Sequence, residues 1–254
     1  MPGVYHAPGV FSDSGGFVLT VFISGTDHGL GASLAEAWAD RGALVFAGVL
    51  RPSSLPSPER RANGGLIRRL VLDLASDAQV EQAVASVREF SDQLDVVVNN
   101  GAILGDIART AFEPLDFDEM ARVYNINVLG TLRLTQAFLP LLLKGEEKLV
   151  VNISSEAGSI GTSTRKNWYA YAMSKAALNM QSALVHNLLR EKGGRVLVLH
   201  PGHVRTLMQG AEDILAALTA DEAARLVLAN IDRSGRIDGE RPLFLGPEGE
   251  VLPW

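Results

Sequence analysis

Along nearly all of this chain, short unbroken apolar runs alternate with longer segments of helical pattern, and few folds accept that order. FVLTVFIS (17–24), ALVFAGVL (43–50), LIRRLVLDL (66–74), LDVVVNN (94–100), KLVVNISS (148–155), RVLVLH (195–200) and PLFLG (242–246) read as seven strands. Their Val, Leu and Ile are continuous rather than placed at every second position, which is the signature of strands buried on both faces. Helical patterns cover 29–41, 77–92, 116–143 and 168–192. Strand–helix alternation of this kind predicts a doubly wound α/β fold of three layers, with a seven-stranded, mostly parallel sheet and helices on both faces.

The chain has 254 residues, 47% of them hydrophobic, which suits one large α/β domain over residues 17–254. A formal net charge of −6 speaks against nucleic acid as a partner, because phosphate binding wants a basic face. With no cysteine there is neither a disulfide framework nor a thiolate metal site. No apolar run is long enough to span a bilayer, and the first residues lack the basic start and apolar middle of a signal peptide. A cytoplasmic protein with no membrane partner is the expectation. Residues 1–16, rich in Gly, Pro and Ser, read as a flexible N-terminal arm. PSSLPSPERRANGG (52–65) reads as a mobile surface connection. Ser76 or Asp77 can cap the helix after the third strand, and Thr219 with Glu222 has the form of a capping box.

Directly after the first strand comes SGTDHGLG, with glycines at 25, 29 and 31. Glycine allows a sharp turn and a close approach of main chain to a ligand. The helix that follows offers unpaired N–H groups and the positive end of its dipole to a pyrophosphate. A glycine turn between strand one and helix one is where a Rossmann-type fold binds a dinucleotide. The loop lacks G-K-[ST], so it is not a P-loop. In such folds an acidic residue at the end of strand two bonds the ribose 2′-hydroxyl, whereas an Arg receives a 2′-phosphate. Here strand two ends in Gly48, Val49, Leu50 and Arg51, with no acid. This favours NADP, with Arg51 on the phosphate, although NAD stays possible.

In YAYAMSKAALN (169–179), Tyr171 and Lys175 are four positions apart and share one helix face, while Tyr169 has Met173 at that spacing. An ammonium beside a phenol favours the phenolate and lowers its pKa from about 10. The pair is therefore a candidate for proton transfer. It is also compatible with a Tyr and a Lys exposed on an ordinary helix.

Taken together, SGTDHGLG, VLDLAS with Asp73, NNGA (99–102), NVLGT (127–131), NISSEAG (152–158), YAMSK (171–175) and PGHVRT (201–206) follow one another in an order that resembles the short-chain dehydrogenase/reductase family from about residue 18 to 254. SKAALN and the final EGEVLPW look most like the sniffer/C-factor-like carbonyl reductase branch. Three departures stand out. Ser24 replaces the usual Thr, Gly101 and Ala102 are exchanged relative to Asn-Asn-Ala-Gly, and Arg51 falls one position late.

The resemblance implies a hydride transfer between nicotinamide and a carbonyl or secondary alcohol. Tyr171 would be the general acid or base, and Lys175 would lower its pKa and bond the nicotinamide ribose. Ser155, in the family's Ser-x-x-Gly with Gly158, would polarise the carbonyl. Ser154 would face the other side of the strand and cap local backbone. Asn127, ahead of Asn125, would hold a water of the proton relay. Gly25, Asp27, Gly29, Leu30 and Gly31 would line the pyrophosphate. Asp73 and Leu74 would meet the adenine, Asn100 and Gly101 its ribose, and Pro201, Gly202, Val204 and Thr206 the nicotinamide. His200 and His203 have no nearby carboxylate or second ligand in the sequence, so no metal site is expected. The short 203–218 segment implies an open pocket for a small or exposed small-molecule substrate. Pairing through helices 116–143 and 168–192 would give a homodimer or homotetramer. A non-catalytic NADP-binding sensor on the same fold is the alternative, since fold does not guarantee activity. A sugar-nucleotide epimerase also uses YxxxK, but such chains resemble longer proteins.

Overall fold

The structure, a computed structural model, describes residues 19–51, 57–208, 213–235 and 239–254. The N-terminal arm, residues 17–18 of the first predicted strand, 52–56 of the connection and 209–212 of the 203–218 segment lie outside them.

Eight strands form one sheet in the order β3-β4-β2-β1-β5-β6-β7-β8. They are β1 (Thr20–Ser24), β2 (Leu44–Val49), β3 (Glu59–Arg60), β4 (Leu66–Val71), β5 (Val96–Asn99), β6 (Leu149–Ile153), β7 (Arg195–Leu199) and β8 (Leu243–Leu245). All neighbours are parallel except β3 and β4, where Glu59 faces Ile67 and Arg60 faces Leu66. The sheet thus has eight strands rather than seven. The extra one lies inside the connection expected to be without structure. Arg69 Nη1 donates to Glu59 at 2.6 Å and Arg61 N–H to Gly65 O at 2.7 Å, so a hairpin closes there despite the Pro/Ser-rich approach.

Side-chain alternation along the strands splits the core in two. Val21, Ile23, Val45, Ala47, Val96 and Val98 face α1 (Gly29–Ala39) and α6 (Ala220–Ser234), packing on Leu34, Trp38, Val227 and Ile231. Phe22, Phe46, Val97, Val150 and Val198 face the opposite way, onto α2 (Asp77–Arg88), α4 (Thr131–Leu142) and α5 (Tyr169–Arg190) through Val84, Phe138 and Leu189. The rings of Phe22 and Phe138 are 4.4 Å apart. Each such buried side chain contributes roughly 1.5–3 kcal/mol, which is why unbroken apolar runs, rather than alternating ones, build this sheet. Ser76 caps α2 through Gln79 N–H, and Thr219 with Glu222 forms the reciprocal capping box of α6.

The helix expected over 116–143 is not continuous. It begins as α3 (Phe117–Tyr124), widens into a π turn over Asn125–Gly130, and resumes as α4. Polar groups divert the ladder at this point. Thr131 Oγ1 donates to Asn127 O at 2.9 Å, and the Asn127 side chain reaches out of the helix to residue 103. Turns of this kind gather at functional sites.

Strand order reverses at β1, which lies between β2 and β5, so a crevice opens beyond their carboxyl ends. That is where ligands bind in open α/β sheets.

Candidate active site

The glycine turn is held by contacts that leave no room for side chains. A Cβ on Gly25, whose φ is +69°, would sit 2.5 Å from Gly101 Cα, and one on Gly31 would sit 2.1 Å from Gly25 O. A Cβ on Gly101 would meet Leu74 Cδ1 at 3.0 Å and Gly25 only at 3.4 Å, so the close neighbour at the exchanged position is Leu74. Ser24 Oγ accepts from both Asn100 N–H and Gly101 N–H at 3.1 Å, so the hydroxyl it shares with threonine is the part in use. The Asn100 amide donates to Ser24 O and Gly25 O, at 3.1 and 2.9 Å. Asn100 therefore fastens the turn.

The Asp27 carboxylate accepts from Leu50 N–H at 3.0 Å and Arg51 N–H at 3.1 Å. The acid missing from strand two is thus delivered to its end from the glycine turn, with both oxygens engaged by main chain. The Arg51 side chain is exposed beside it. Asp73 uses one carboxylate oxygen on Ala75 N–H at 2.8 Å, and Leu74 is buried beneath Gly101. Leu30, in the first turn of α1, is buried too.

The residues present fit a dinucleotide. The α1 N-terminus has no side-chain cap and no acidic residue in its first turn, so its N–H groups and dipole are open to an anion. Among the described residues, a Cβ on Gly29 would meet Thr206, at 3.5 Å, so the segment after β7 reaches over the glycine turn. That segment carries Pro201, Gly202 and Val204, which bridges to Leu218.

Tyr171 lies in the first turn of α5 and is buried against Leu104 and Ala157. Burial pushes its phenol up to about 12, partly opposed by a hydrogen bond from Ser155. Lys175 is buried one turn on, its Nζ 5.5 Å from the Tyr171 ring centre and donating to Ile153 O at 2.8 Å. Burial brings its pKa down to about 8. The expected lowering of the phenol pKa by Lys175 is therefore not found. The ammonium sits over the ring and bonds a strand carbonyl, and desolvation of the phenol dominates.

Ser154 and Ser155 lie just past the end of β6 and make different contacts. Ser154 Oγ donates to Asn179 at 2.7 Å beneath the site, whereas Ser155 accepts from Ala157 N–H at 3.1 Å and meets the Tyr171 phenol. Gly158 brings this turn onto α5, since a Cβ there would lie 2.7 Å from the Lys175 carbonyl carbon. Asn127 accepts from Ile103 N–H at 2.9 Å and donates to Ile103 O and Ser174 Oγ, at 2.8 and 3.0 Å. Its amide ties the 103 loop to α5. Contrary to the sequence reading, His203 has a carboxylate partner, Asp213 at 2.7 Å. No group of three metal-ligating side chains occurs among the described residues.

Next to Tyr171, Ile103, Leu104, Gly105, Ile107, Glu119, Arg122 and Met208 line a cleft of about 480 Å³. Sequence reasoning missed Glu156, Arg165 and Trp168. Arg165 pairs with Glu156 and lies 4.7 Å over the Trp168 ring, which meets Tyr171 edge-on at 6.0 Å. Only the spacing of Trp168, three positions before Tyr171, hints at this in the sequence.

A dinucleotide cradle beside a buried Tyr, Lys and Ser defines a nicotinamide-dependent oxidoreductase of the α/β type. More narrowly, the chain belongs to the short chain dehydrogenase family, whose model matches residues 19–214. It is 38% identical to C-signal of Myxococcus xanthus over 166 residues, which cover 63% of this chain and 93% of that protein. It is 33% identical to 1-hydroxy-2-glutathionyl-2-methyl-3-butene dehydrogenase of a Rhodococcus species over 241 residues, 92% of this chain and 99% of that one. Among solved structures, NADPH-bound carbonyl reductase from chicken fatty liver superposes with a TM-score of 0.78 at 28% identity, covering 93% of this chain and 99% of the other.

Proposed function

We propose that this chain is an NADP(H)-dependent reductase of small-molecule carbonyl compounds, with Tyr171 as proton donor. The observation that carries the reading is the buried Tyr171 phenol beside Ser155, with Lys175 one turn along the same helix. When bound, the nicotinamide supplies a hydride to the carbonyl carbon. Tyr171 delivers its proton to the oxygen, completing the alcohol, while Ser155 stabilises the developing negative charge. A phenol held protonated by burial suits the reductive direction. Lys175 orients the ribose, and Asn127 fastens the loop that forms the cleft wall. The NADP preference rests on Arg51 and on the NADPH- and NADP-bound state of related structures. The cleft between the 103–107 loop and Met208 is the place for the substrate.

Exposed Met173, Met180, Leu184 and Leu188 form a stripe along α5, next to exposed Phe117, Leu129 and Leu132 on α3, the π turn and α4. This stripe supports a homodimer built through these helices.

The test is NADPH oxidation with a panel of aldehydes, ketones and quinones, alongside cofactor binding by fluorescence. Turnover that disappears in Tyr171→Phe with cofactor affinity retained is the expected result. Tight cofactor binding with no turnover on any compound would instead make the chain a sensor.

A further inference from the structure

We propose that Trp168, clamped by Arg165, is a positioning residue that sets the Tyr171 hydroxyl against Ser155, an inference that rests on Tyr171 being the proton donor. Tyr171 is the third residue of α5, in a first turn with no side-chain cap to secure its N–H groups. First turns without caps fray, and the phenol would move with the backbone. Trp168 precedes the helix with φ +66° and ψ +29°, the left-handed region that a bulky side chain adopts only when its surroundings impose it.

Those surroundings can be named. The Trp168 side chain packs, as do Ile107 and Ala172, against the cluster of Leu104, Ala157 and Tyr171. Its edge meets the Tyr171 ring at 6.0 Å and 72°. The Arg165 guanidinium covers it at 4.7 Å and is paired with Glu156, the residue after Ser155. Trp168 O accepts the first helical bond, from Ala172 N–H at 2.9 Å. The contacts form a chain from one group to the other: Glu156, next to Ser155, pairs with Arg165, Arg165 covers Trp168, and Trp168 meets the Tyr171 ring. Ser155 follows β6 and Tyr171 opens α5, so two separately built groups are held in register at the rim of the cleft. The Arg165 and Glu156 side chains are 32% and 43% exposed, and an ion pair that open adds little by itself. Its effect is to keep the guanidinium plane over the indole.

The experiment compares Trp168→Ala, Trp168→Phe, Trp168→Gly and Arg165→Ala, using the best substrate of the carbonyl panel. In Trp168→Ala and Arg165→Ala we expect kcat about tenfold lower, KM changed less than threefold and NADPH affinity unchanged. Trp168→Phe restores at least half of kcat. Trp168→Gly, which relaxes the backbone but removes the ring, does no better than alanine. Hydrogen exchange over residues 169–173 accelerates in the alanine variants while the rest of α5 keeps its protection. Wild-type kcat in both alanine variants, or a phenylalanine variant as impaired as alanine, overturns the inference. Arg165 is on the surface, so its variant decides the matter if the Trp168 variants fail to fold. Should the wild-type chain bind NADPH without turnover, the reductase reading fails, and the exchange measurement still decides whether Trp168 and Arg165 hold the helix start.

Discussion

Lys175→Met is expected to leave the enzyme inactive while changing its stability in a way that depends on pH. The wild-type ammonium is buried and its pKa falls from 10.5 to about 8. Between those values the unfolded chain binds more protons than the folded one, so stability rises with pH across that window, and the full penalty is present below it. The penalty comes to about 3 kcal/mol at pH 7 and shrinks to about 1 kcal/mol at pH 9.5. Methionine fills the same volume without a charge, so it escapes this penalty. It also leaves Ile153 O without its 2.8 Å donor, a loss of about 1–3 kcal/mol that does not vary with pH. Near pH 7 the two effects largely cancel. Between pH 7 and pH 9.5 the wild type should gain about 2 kcal/mol on the variant. Tyr171, raised to about 12, lowers stability only above pH 10 and does not disturb this window. Urea unfolding of both proteins at the two pH values measures the difference. A gap that stays constant would show that the ammonium is not desolvated as described.

Four further outcomes follow from the same geometry. Gly158→Ala forces its new methyl to within 2.7 Å of the Lys175 backbone, so a loss of about 1–3 kcal/mol in thermal unfolding should come with a fall in kcat. Ser154→Ala should destabilise by about 1–2 kcal/mol by stranding Asn179 yet retain activity, whereas Ser155→Ala, which uncaps Ala157 N–H at a similar cost, should in addition lose at least tenfold in kcat. Arg51→Ala should weaken NADPH binding about tenfold and leave NADH binding unchanged in a fluorescence titration; equal effects on both would remove Arg51 from the 2′-phosphate. Met180→Glu with Leu184→Glu should halve the mass seen by light scattering, and an unchanged mass would place the dimer contact elsewhere.

Much of this was legible from the residues because the signals are local. Unbroken Val and Leu runs report burial on both faces, and seven of the eight strands follow from that alone. Ser155 is preferred to Ser154 on the Ser-x-x-Gly pattern with Gly158, and alternation adds only that both should not enter one site. What stayed hidden depends on distance along the chain. β3 has two residues and no apolar pattern, so only its pairing with β4 reveals it. The π turn depends on Asn127 finding Ile103, twenty-four positions away in sequence. The phenol pKa was read from one neighbour, Lys175, whereas the burial that dominates it comes from the whole fold. The bonds from Asp27 to the end of β2 were hidden because Leu50 and Arg51 are more than twenty positions further on.

The sheet's margins have a consequence for self-association. The outermost strands are β3 and β8, of two and three residues. One is Glu-Arg, and the other is partly covered where Leu245 pairs with Val251. Margins this short offer a stray strand almost nothing to zip onto, so the broad apolar sheet inside is shielded from the edge-to-edge growth that leads to fibres.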